Sequence, residues 1–373
     1  MNELMHCYAS AAFGMEGLVA KEIKQTGITD CTAENGGVHF YASAADLFRC
    51  NLSLHYTDRI YLVLGIQECK TFSELFDFVY SIAWEDYFSG NEAINISSKC
   101  VKSTLMSPRD CQSIGKKAII ERIRHQTRQH VFPESGAPLP VQISIRNDEA
   151  RILLNTSGDS LSRRGYRTWN GEAPLRETLA AALVELSGWR AEQPLHDPCC
   201  GTGTILVEAA MRAVHQAPGI RRHFSMEDNK RFTKEDLNAI RQRIAAEADL
   251  SRPFEISGSD IDAEALKLAA RHVAQAGFRK EQIPLRQAPL QELTIEKENG
   301  VFICNPPYGE RISDQKSCRA LYRELRQLKM RHPTWRLCAI SSDPAFERSY
   351  GRKADRKRRL YNGRLECVYY IYY

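Results

Sequence analysis

The sequence predicts an α/β protein in which two small α/β units precede a doubly wound, largely parallel sheet. Three observations predict it. From about residue 190 onward, short apolar runs alternate with amphipathic stretches: "PLHDPCC", "TILVEAAMRAVH", "FEISGSDID", "AEALKLAARHVAQAG", "GVFICNPPY", "CRALYRELRQLKMRH", "RLCAISSD", "LECVYYIYY". That is the βαβ alternation of a parallel sheet. The first strand of this series runs into a turn with two closely spaced glycines, Gly201 and Gly203. And 373 residues exceed one ordinary domain, at about 150 residues per domain. The boundaries read from the pattern give units at 1–62, 63–160 and 161–373.

In the first unit, "GMEGLVAKEIKQTGI" places Leu18, Val19, Ile23 and Ile28 at helical spacing, with Gly27 to close the helix. "NGGVHFYA" reads as a turn and a strand, and "SAADLFRCNLSLHY" as a helix capped by Ser43. In the second unit, "RIYLVLGIQE" is a strand and "TFSELFDFVYSIAWEDYF" a helix opened by a Thr71–Glu74 capping box. "AINISSKC" is a strand, and "SPRDCQSIGKKAIIERIRHQTRQ" a long helix with Pro108 in its first turn. "VQISIRNDEARILLNTSG" reads as a hairpin across Asn147-Asp148.

Composition narrows the class. The chain is 43% hydrophobic and 26% charged, and no run approaches the ~20 apolar residues of a membrane span. The N-terminus lacks the basic and apolar regions of a secretion signal, so a cytoplasmic protein is expected, with no membrane partner. Its 12 cysteines are scattered, with no C-x-x-C pair and no accompanying His cluster. Reduced thiols, and no metal, are the expectation. Net charge is only +5, but it is clustered. "RSYGRKADRKRRLYNGR" (348–364) holds eight Lys/Arg against one Asp, and "RIRHQTRQH" and "RRGYR" form two further clusters. Any one of them suits a solvated face; three together suit a polyanion surface, because phosphates release counterions on contact. Lys116 and Lys117 on the long helix, Arg163 and Arg164 in "RRGYR", and Arg358 and Arg359 near the C-terminus are the candidate nucleic-acid contacts. Nothing in the pattern specifies an oligomeric state.

Three motifs carry chemistry. In "LHDPCCGTGTILVEAAM" a strand ends at Asp197 and Gly201 and Gly203 permit a tight turn into a helix. A P-loop would need Lys after the second glycine and a dinucleotide fingerprint a third glycine at 206, where Leu206 stands. The ligand therefore approaches closely without a pyrophosphate to cradle, and Asp197 suits a cationic amino-acid group. The next strand ends in "SGSDID", where Asp260 suits ribose hydroxyls and Asp262 a helix cap. The third motif closes the fourth strand of the series, which ends in "NPPYGER". Neither Pro306 nor Pro307 has an N–H, and each holds the residue before it extended. The Pro306 carbonyl and the Asn305 amide oxygen then offer two acceptors beside the ring of Tyr308, a clamp for an exocyclic amine on a nucleobase. Stacking on such a ring is worth about 1–3 kcal/mol per base.

"DPCCGTGT", "GSDID" and "NPPYGER" resemble motifs of class I S-adenosylmethionine-dependent methyltransferases of the amino-methylating type, with a Rossmann-like sheet. "SGDSLSRRGYRTWNGEAPLRETLAAALVELSGW" resembles the entry segment of bacterial 23S rRNA guanine-N2 methyltransferases, and the first ~160 residues a ferredoxin-like plus THUMP RNA-binding module. The resemblance implies S-adenosylmethionine as cofactor and 23S rRNA, or a large-subunit precursor, as partner. It implies Asp197, Gly201 and Gly203 at the methionine end, Asp260 at the ribose, and Asn305, Pro306 and Tyr308 at the target base. Leu175, Arg176 and Glu177 would lie near the amino-acid end of the cofactor. One departure stands out: Pro289 occupies the neighbourhood where relatives carry an Asp for the adenine amine. The clamp chemistry serves guanine N2 and adenine N6 alike, so an adenine-N6 methyltransferase on RNA or DNA is the alternative, and a non-catalytic RNA-binding assembly factor a third reading. The resemblance covers Glu310 and Arg311, for which the residues themselves suggest no role.

Overall fold

The computed structural model describes residues 3–167, 175–308 and 312–373. In chain order the elements are β1 (Met5–Ala11), α1 (Glu16–Gln25), β2 (Cys31–Glu34), β3 (Gly37–Ala42), α2 (Ala44–Ser53), β4 (Thr57–Glu68), α3 (Phe72–Ser81), β5 (Ala93–Val101), α4 (Pro108–Thr127), β6 (Pro138–Arg146) and β7 (Glu149–Asn155). There follow α5 (Glu177–Ser187), β8 (Leu195–Asp197), α6 (Thr204–Ala213), α7 (Lys234–Ala246), β9 (Ile256–Asp260), α8 (Ala263–Gln275) and β10 (Leu285–Gln287). The last are β11 (Val301–Cys304), α9 (Ile312–Arg331), β12 (Arg336–Ser341), α10 (Phe346–Tyr350), β13 (Arg356–Asn362) and β14 (Leu365–Tyr372). Two compact units result: Met1–Ala11, Val19–Leu161 and Arg222–Ile244 form the first, and Ala12–Leu18, Ser162–Arg221 and Ala245–Tyr373 the second.

Local signals behave as their chemistry dictates. Ser43 caps α2 by accepting from the Asp46 amide, and Thr71 and Glu74 close a reciprocal capping box on α3. Pro108 stands in the first turn of α4. Asn147 and Asp148 both take left-handed conformations, φ 51° and 66°, which gives the two-residue turn between β6 and β7 the twist a tight hairpin needs.

The first unit is organised on one seven-stranded sheet in the order β2-β3-β1-β4-β7-β6-β5. β4 makes it continuous. Its first half pairs antiparallel with β1 (Cys7↔Leu62), and its second half extends along β7 as far as Glu68↔Glu149. The 62/63 boundary read from the sequence falls inside this strand. Alternation sorts the side chains. Cys7, Ala9, Val38, Phe40, Leu62, Val141 and Ile143 are buried on one face. There Gly115 of α4 lies so close to Ile143 that an added Cβ would stand 2.5 Å from its Cδ1. Gly65 of β4 meets the Phe78 ring of α3 in the same way.

Residues 222–244 belong to this unit although they lie between two elements of the second sheet's sequence. The Phe224 ring sits edge-on to Phe48 of α2 at 5.8 Å, and the Arg241 guanidinium lies over both rings while pairing with Glu227 at 2.6 Å. The Met226 amide donates to Thr156, and Ser225 to Asn155. Beneath them the buried Asn51 amide donates to Leu47 O and Thr156 Oγ1, and its oxygen accepts from Ser157 Oγ. No strand or helix periodicity in the sequence identified this docking; tertiary contacts specify it.

The second unit holds a seven-stranded sheet in the order β10-β9-β8-β11-β12-β14-β13. β10, β9, β8, β11 and β12 are parallel, as the alternation predicts. The last apolar run departs from that expectation: β14 is antiparallel to both β12 and β13. The cause is length. β13 and β14 are joined at Gly363-Arg364, Gly363 having φ 65°, whereas a parallel pair needs a crossover of a dozen or more residues. The basic run 348–364 thereby becomes, in part, an edge strand. Strand order reverses between β8 and β11, so the switch point, where open α/β sheets bind ligands, lies at the carboxyl ends of those two strands. β11 is fixed there by a dry core: Phe302 stacks on Trp335 at 4.4 Å, amid Tyr322, Leu325, Leu328 and Leu337.

Asn51→Ala strips partners from two buried hydroxyls. We expect urea denaturation to show a loss of about 1–3 kcal/mol; a change below about 0.5 kcal/mol would mean that the Asn51 network does not hold the first unit together.

Candidate active site

Three parallel strands end side by side. Asp260 closes β9, Asp197 closes β8, and Asn305 follows the last residue of β11; the pairing Asp197↔Gly258 sets the first register and Phe302↔His196 the second. The turn after β8 is shaped by its glycines. Gly201 (φ 49°) and Gly203 (φ 80°) both occupy the left-handed region, and a Cβ on Gly203 would stand 3.1 Å from that of Ala269. Cys200 N donates to Ser259 O at 3.0 Å, and Gly201 N to Asp260 Oδ2 at 2.8 Å. The other Asp260 oxygen accepts from Asp262 N at 3.0 Å, while Asp262 caps α8 through Glu264 N and Ala265 N. The carboxylate of Asp260 is thus aimed by two backbone amides, and it remains half-buried at the strand end.

Asp197 differs. It is 1% exposed and accepts from Cys199 N at 3.0 Å. Burial pushes its carboxyl well above the usual carboxylate range, and Asp260 adds to the effect. Among the described residues no Lys or Arg side chain pairs with it. A ligand ammonium would reverse the shift, which is the chemistry expected of this position. Burial also raises Cys199, Cys200 and Cys304, so these thiols stay protonated and do not compete as nucleophiles.

Leu175, Arg176 and Glu177 are brought to the same turn by a residue the sequence reading had assigned elsewhere. Arg167 donates to the Leu175 carbonyl at 3.0 Å and to Thr204 Oγ1, at the start of α6, at 3.5 Å, and its Nε lies 3.5 Å from Glu177. Leu175 and Glu177 are buried; Arg176 is exposed at the start of α5. Burial raises the Glu177 carboxyl, with Arg167 opposing. Ile261, 71% exposed, follows Asp260 directly, and the Gln287 amide donates to its carbonyl at 3.0 Å. Pro289 opens a short 3-10 turn, and the preceding Ala288 amide is spent on Asp260 O.

At β11, Pro306 is buried and Asn305 half-buried. The Tyr308 hydroxyl donates to Asn305 Oδ1, a contact absent from the sequence reading, which gave that oxygen to the target amine alone. Burial pushes the Tyr308 hydroxyl well up, so it is a donor rather than a phenolate. Pro307 O accepts from Tyr322 OH at 3.2 Å, tying the loop to α9. Gly309, Glu310 and Arg311 lie outside the described residues, as does 168–174 of the entry segment.

The basic candidates divide. Arg164 is corrected: it is 3% exposed, with its guanidinium facing Glu208 at 3.4 Å, and Tyr166 OH also donates to Glu208 at 3.0 Å. It serves the interior under α6. A buried Arg has no signature that separates "RRGYR" from a surface cluster. Arg163 is exposed. Arg358 donates to Gly14 O, and Arg359 pairs with Glu366 at 3.3 Å. On α4, Lys116 pairs with Glu134 at 2.6 Å and Arg122 with Glu85 at 2.6 Å, while Lys117 lies over Phe76 and 3.7 Å from Glu121. Among the described residues no group of His, Cys, Asp or Glu is placed to hold a metal, and no helix is long and apolar enough to cross a membrane.

This geometry agrees with what the chain is similar to. Residues 164–371 match the family described as RMKL-like, methyltransferase domain. The chain belongs to the RMKL-like methyltransferase family. Residues 6–61 match the RlmL ferredoxin-like domain, and 69–155 the THUMP domain. YpsC of Bacillus subtilis, whose name proposes an RNA methyltransferase, is 39% identical over 98% of this chain and 95% of its own length. Ribosomal RNA large subunit methyltransferase K/L of Shewanella baltica is 34% identical over 99% of this chain; the chain spans 53% of that protein. SMU.472, solved as a complex with SAH, superposes with a TM-score of 0.93 at 37% identity, covering 100% of this chain and 99% of that one. A Listeria monocytogenes structure described as a predicted N6-adenine-specific DNA methylase gives 0.94 at 39% identity, covering 100% and 96%. Among RMKL-like methyltransferases this chain therefore carries its glycine turn, strand-end carboxylates and NPPY segment on one edge of the family's catalytic domain.

Arg164→Ala leaves Glu208 buried beside Tyr166. It should destabilise the protein by about 3–5 kcal/mol, read as a lower denaturation midpoint; a variant of unchanged stability would return Arg164 to the surface.

Proposed function

We propose that this RMKL-like methyltransferase transfers a methyl group from S-adenosylmethionine to the exocyclic N2 amine of a guanine in 23S rRNA or a large-subunit precursor. The observation that carries the reading is the convergence of Asp260, Asp197 and Asn305 at the ends of three adjacent strands. The K/L name of relatives matched along 99% of this chain, and the match to a THUMP domain, support an RNA substrate.

The residues present fit the cofactor. Asp260, held by Gly201 N and Asp262 N, is set to accept from ribose hydroxyls. Asp197, buried without a cationic partner among the described residues, suits the methionine ammonium, and the Gly201–Gly203 turn keeps side chains out of the way. When bound, S-adenosylmethionine supplies an electrophilic methyl group on a sulfonium. The chain's own work is orientation. Asn305 Oδ1 and the Pro306 carbonyl accept the two amine hydrogens, which directs the nitrogen lone pair away from the base's ring system and toward the methyl group. Tyr308 gives up its bond to Asn305 as the amine arrives and turns its ring to the base. Asn305 is neutral and cannot act as general base, so the proton leaves after transfer, to water. Catalysis is positioning and electrostatic stabilisation.

The Listeria structure's description favours the alternative, adenine N6, and one experiment separates the two: nucleoside mass spectrometry of rRNA from a deletion strain. Loss of N2-methylguanosine supports the proposal; loss of N6-methyladenosine in its place overturns it. In the purified protein, Asn305→Ala should reduce transfer at least 100-fold with cofactor affinity within about twofold of wild type, as for loss of an orienting group. Near-normal turnover by that variant would remove the clamp from the mechanism. Asp260→Ala should weaken cofactor binding first.

A further inference from the structure

The helices of the first unit pack on one face of its sheet, through residues such as Phe40, Leu62 and Ile143. The opposite face carries a row of rings running across β3, β1 and β4. Tyr41 stacks on His6 at 5.0 Å and 18°, His6 meets His39 at 5.0 Å, His39 meets Tyr8 at 4.8 Å, and Tyr8 meets Tyr61 at 6.4 Å. We infer that this face is a stacking platform for unpaired bases of the RNA substrate, an inference that rests on the RNA reading proposed above.

Two features separate it from ordinary cross-strand packing. The row is anchored at one end and open at the other: Tyr61 is buried with Val63 and Leu153, His6, Tyr8 and His39 are half-buried, and Tyr41 is 45% exposed. Its two histidines also favour the uncharged form. Burial lowers both histidines, His39 and Arg151 lower His6 further, and Glu34 only partly offsets the effect at His39. A row of rings 4.8 to 6.4 Å apart suits bases of a single strand, since every base has a stackable face. The cations suit the phosphates. Arg151 is not one of them: it donates to His39 and is ion-paired with Glu34 and Glu149, so it braces the rings with its charge already balanced. Lys99 and Arg146 project from the same face, by their register with Ser144 and Glu149, and are exposed. Sequence periodicity gave no warning, because the row is assembled from strands up to 55 residues apart, between His6 and Tyr61.

The test uses the full chain and a fluorescein-labelled oligouridylate, with affinity read by anisotropy at fixed salt. The double variant His6→Ala/Tyr41→Ala should bind about tenfold or more weakly, as expected for two lost stacking faces, while it keeps a cooperative melting transition and an unchanged affinity for S-adenosylhomocysteine. His6→Phe/Tyr41→Phe should restore binding, because stacking needs the ring and not its polar atoms. Equal affinity of wild type and the alanine variant overturns the inference, and so does failure of the phenylalanine variant to rescue. Lost methylation in cells with oligouridylate affinity intact also overturns it and gives the face to a protein partner. Failure of the methylation reading is seen separately, as absence of methyl transfer to any RNA by the wild-type protein.

Discussion

The site depends on one carboxylate held by two backbone amides. Asp260 accepts from Gly201 N, which locks the turn after β8 to the end of β9, and from Asp262 N, which sets the start of α8. The turn can take that position only because Gly201 and Gly203 adopt left-handed conformations. Asp197 is then sealed below the turn and Asn305 emerges on the other side, from a strand clamped by the Phe302–Trp335 stack. A cofactor entering this edge would meet the Asp260 carboxylate already oriented by Gly201 N and Asp262 N, so that group need not reorganise at the moment of reaction.

Beneath that edge lies a second layer, in which charge is retained in the interior. Arg164 and Tyr166 converge on Glu208 of α6, and Arg167 joins the start of the same helix to Leu175 and Glu177. Buried ion pairs are weak evidence for stability, but breaking one is costly. Their arrangement here suits a positional role: they fix the start of α5 against the helix that begins at the glycine turn.

How much of this was legible depended on range. Short-range chemistry was readable: the capping box at Thr71, the Asn147-Asp148 turn, the glycines at 201 and 203, and the Asp262 cap each act within a few residues. The strand-end carboxylates and NPPY were readable because a doubly wound sheet puts successive strand ends on one edge. Long-range pairing was not. Nothing local separates buried Arg164 from exposed Arg163, announces that β14 runs antiparallel to β12, or reveals that residues 222–244 dock on Phe48 and Thr156. The continuity of the first sheet through β4 was hidden for the same reason, since a 12-residue strand reads as one strand whichever partners it serves.

A crystal structure of the full chain with S-adenosylhomocysteine tests the central claim most directly. The account predicts ribose hydroxyls on Asp260 with its bonds to Gly201 N and Asp262 N intact, the amino-acid ammonium toward Asp197, and the sulfur facing Asn305. A ligand bound away from the ends of β8 and β9, or one that enters only by breaking the Asp260–Gly201 bond, would contradict it.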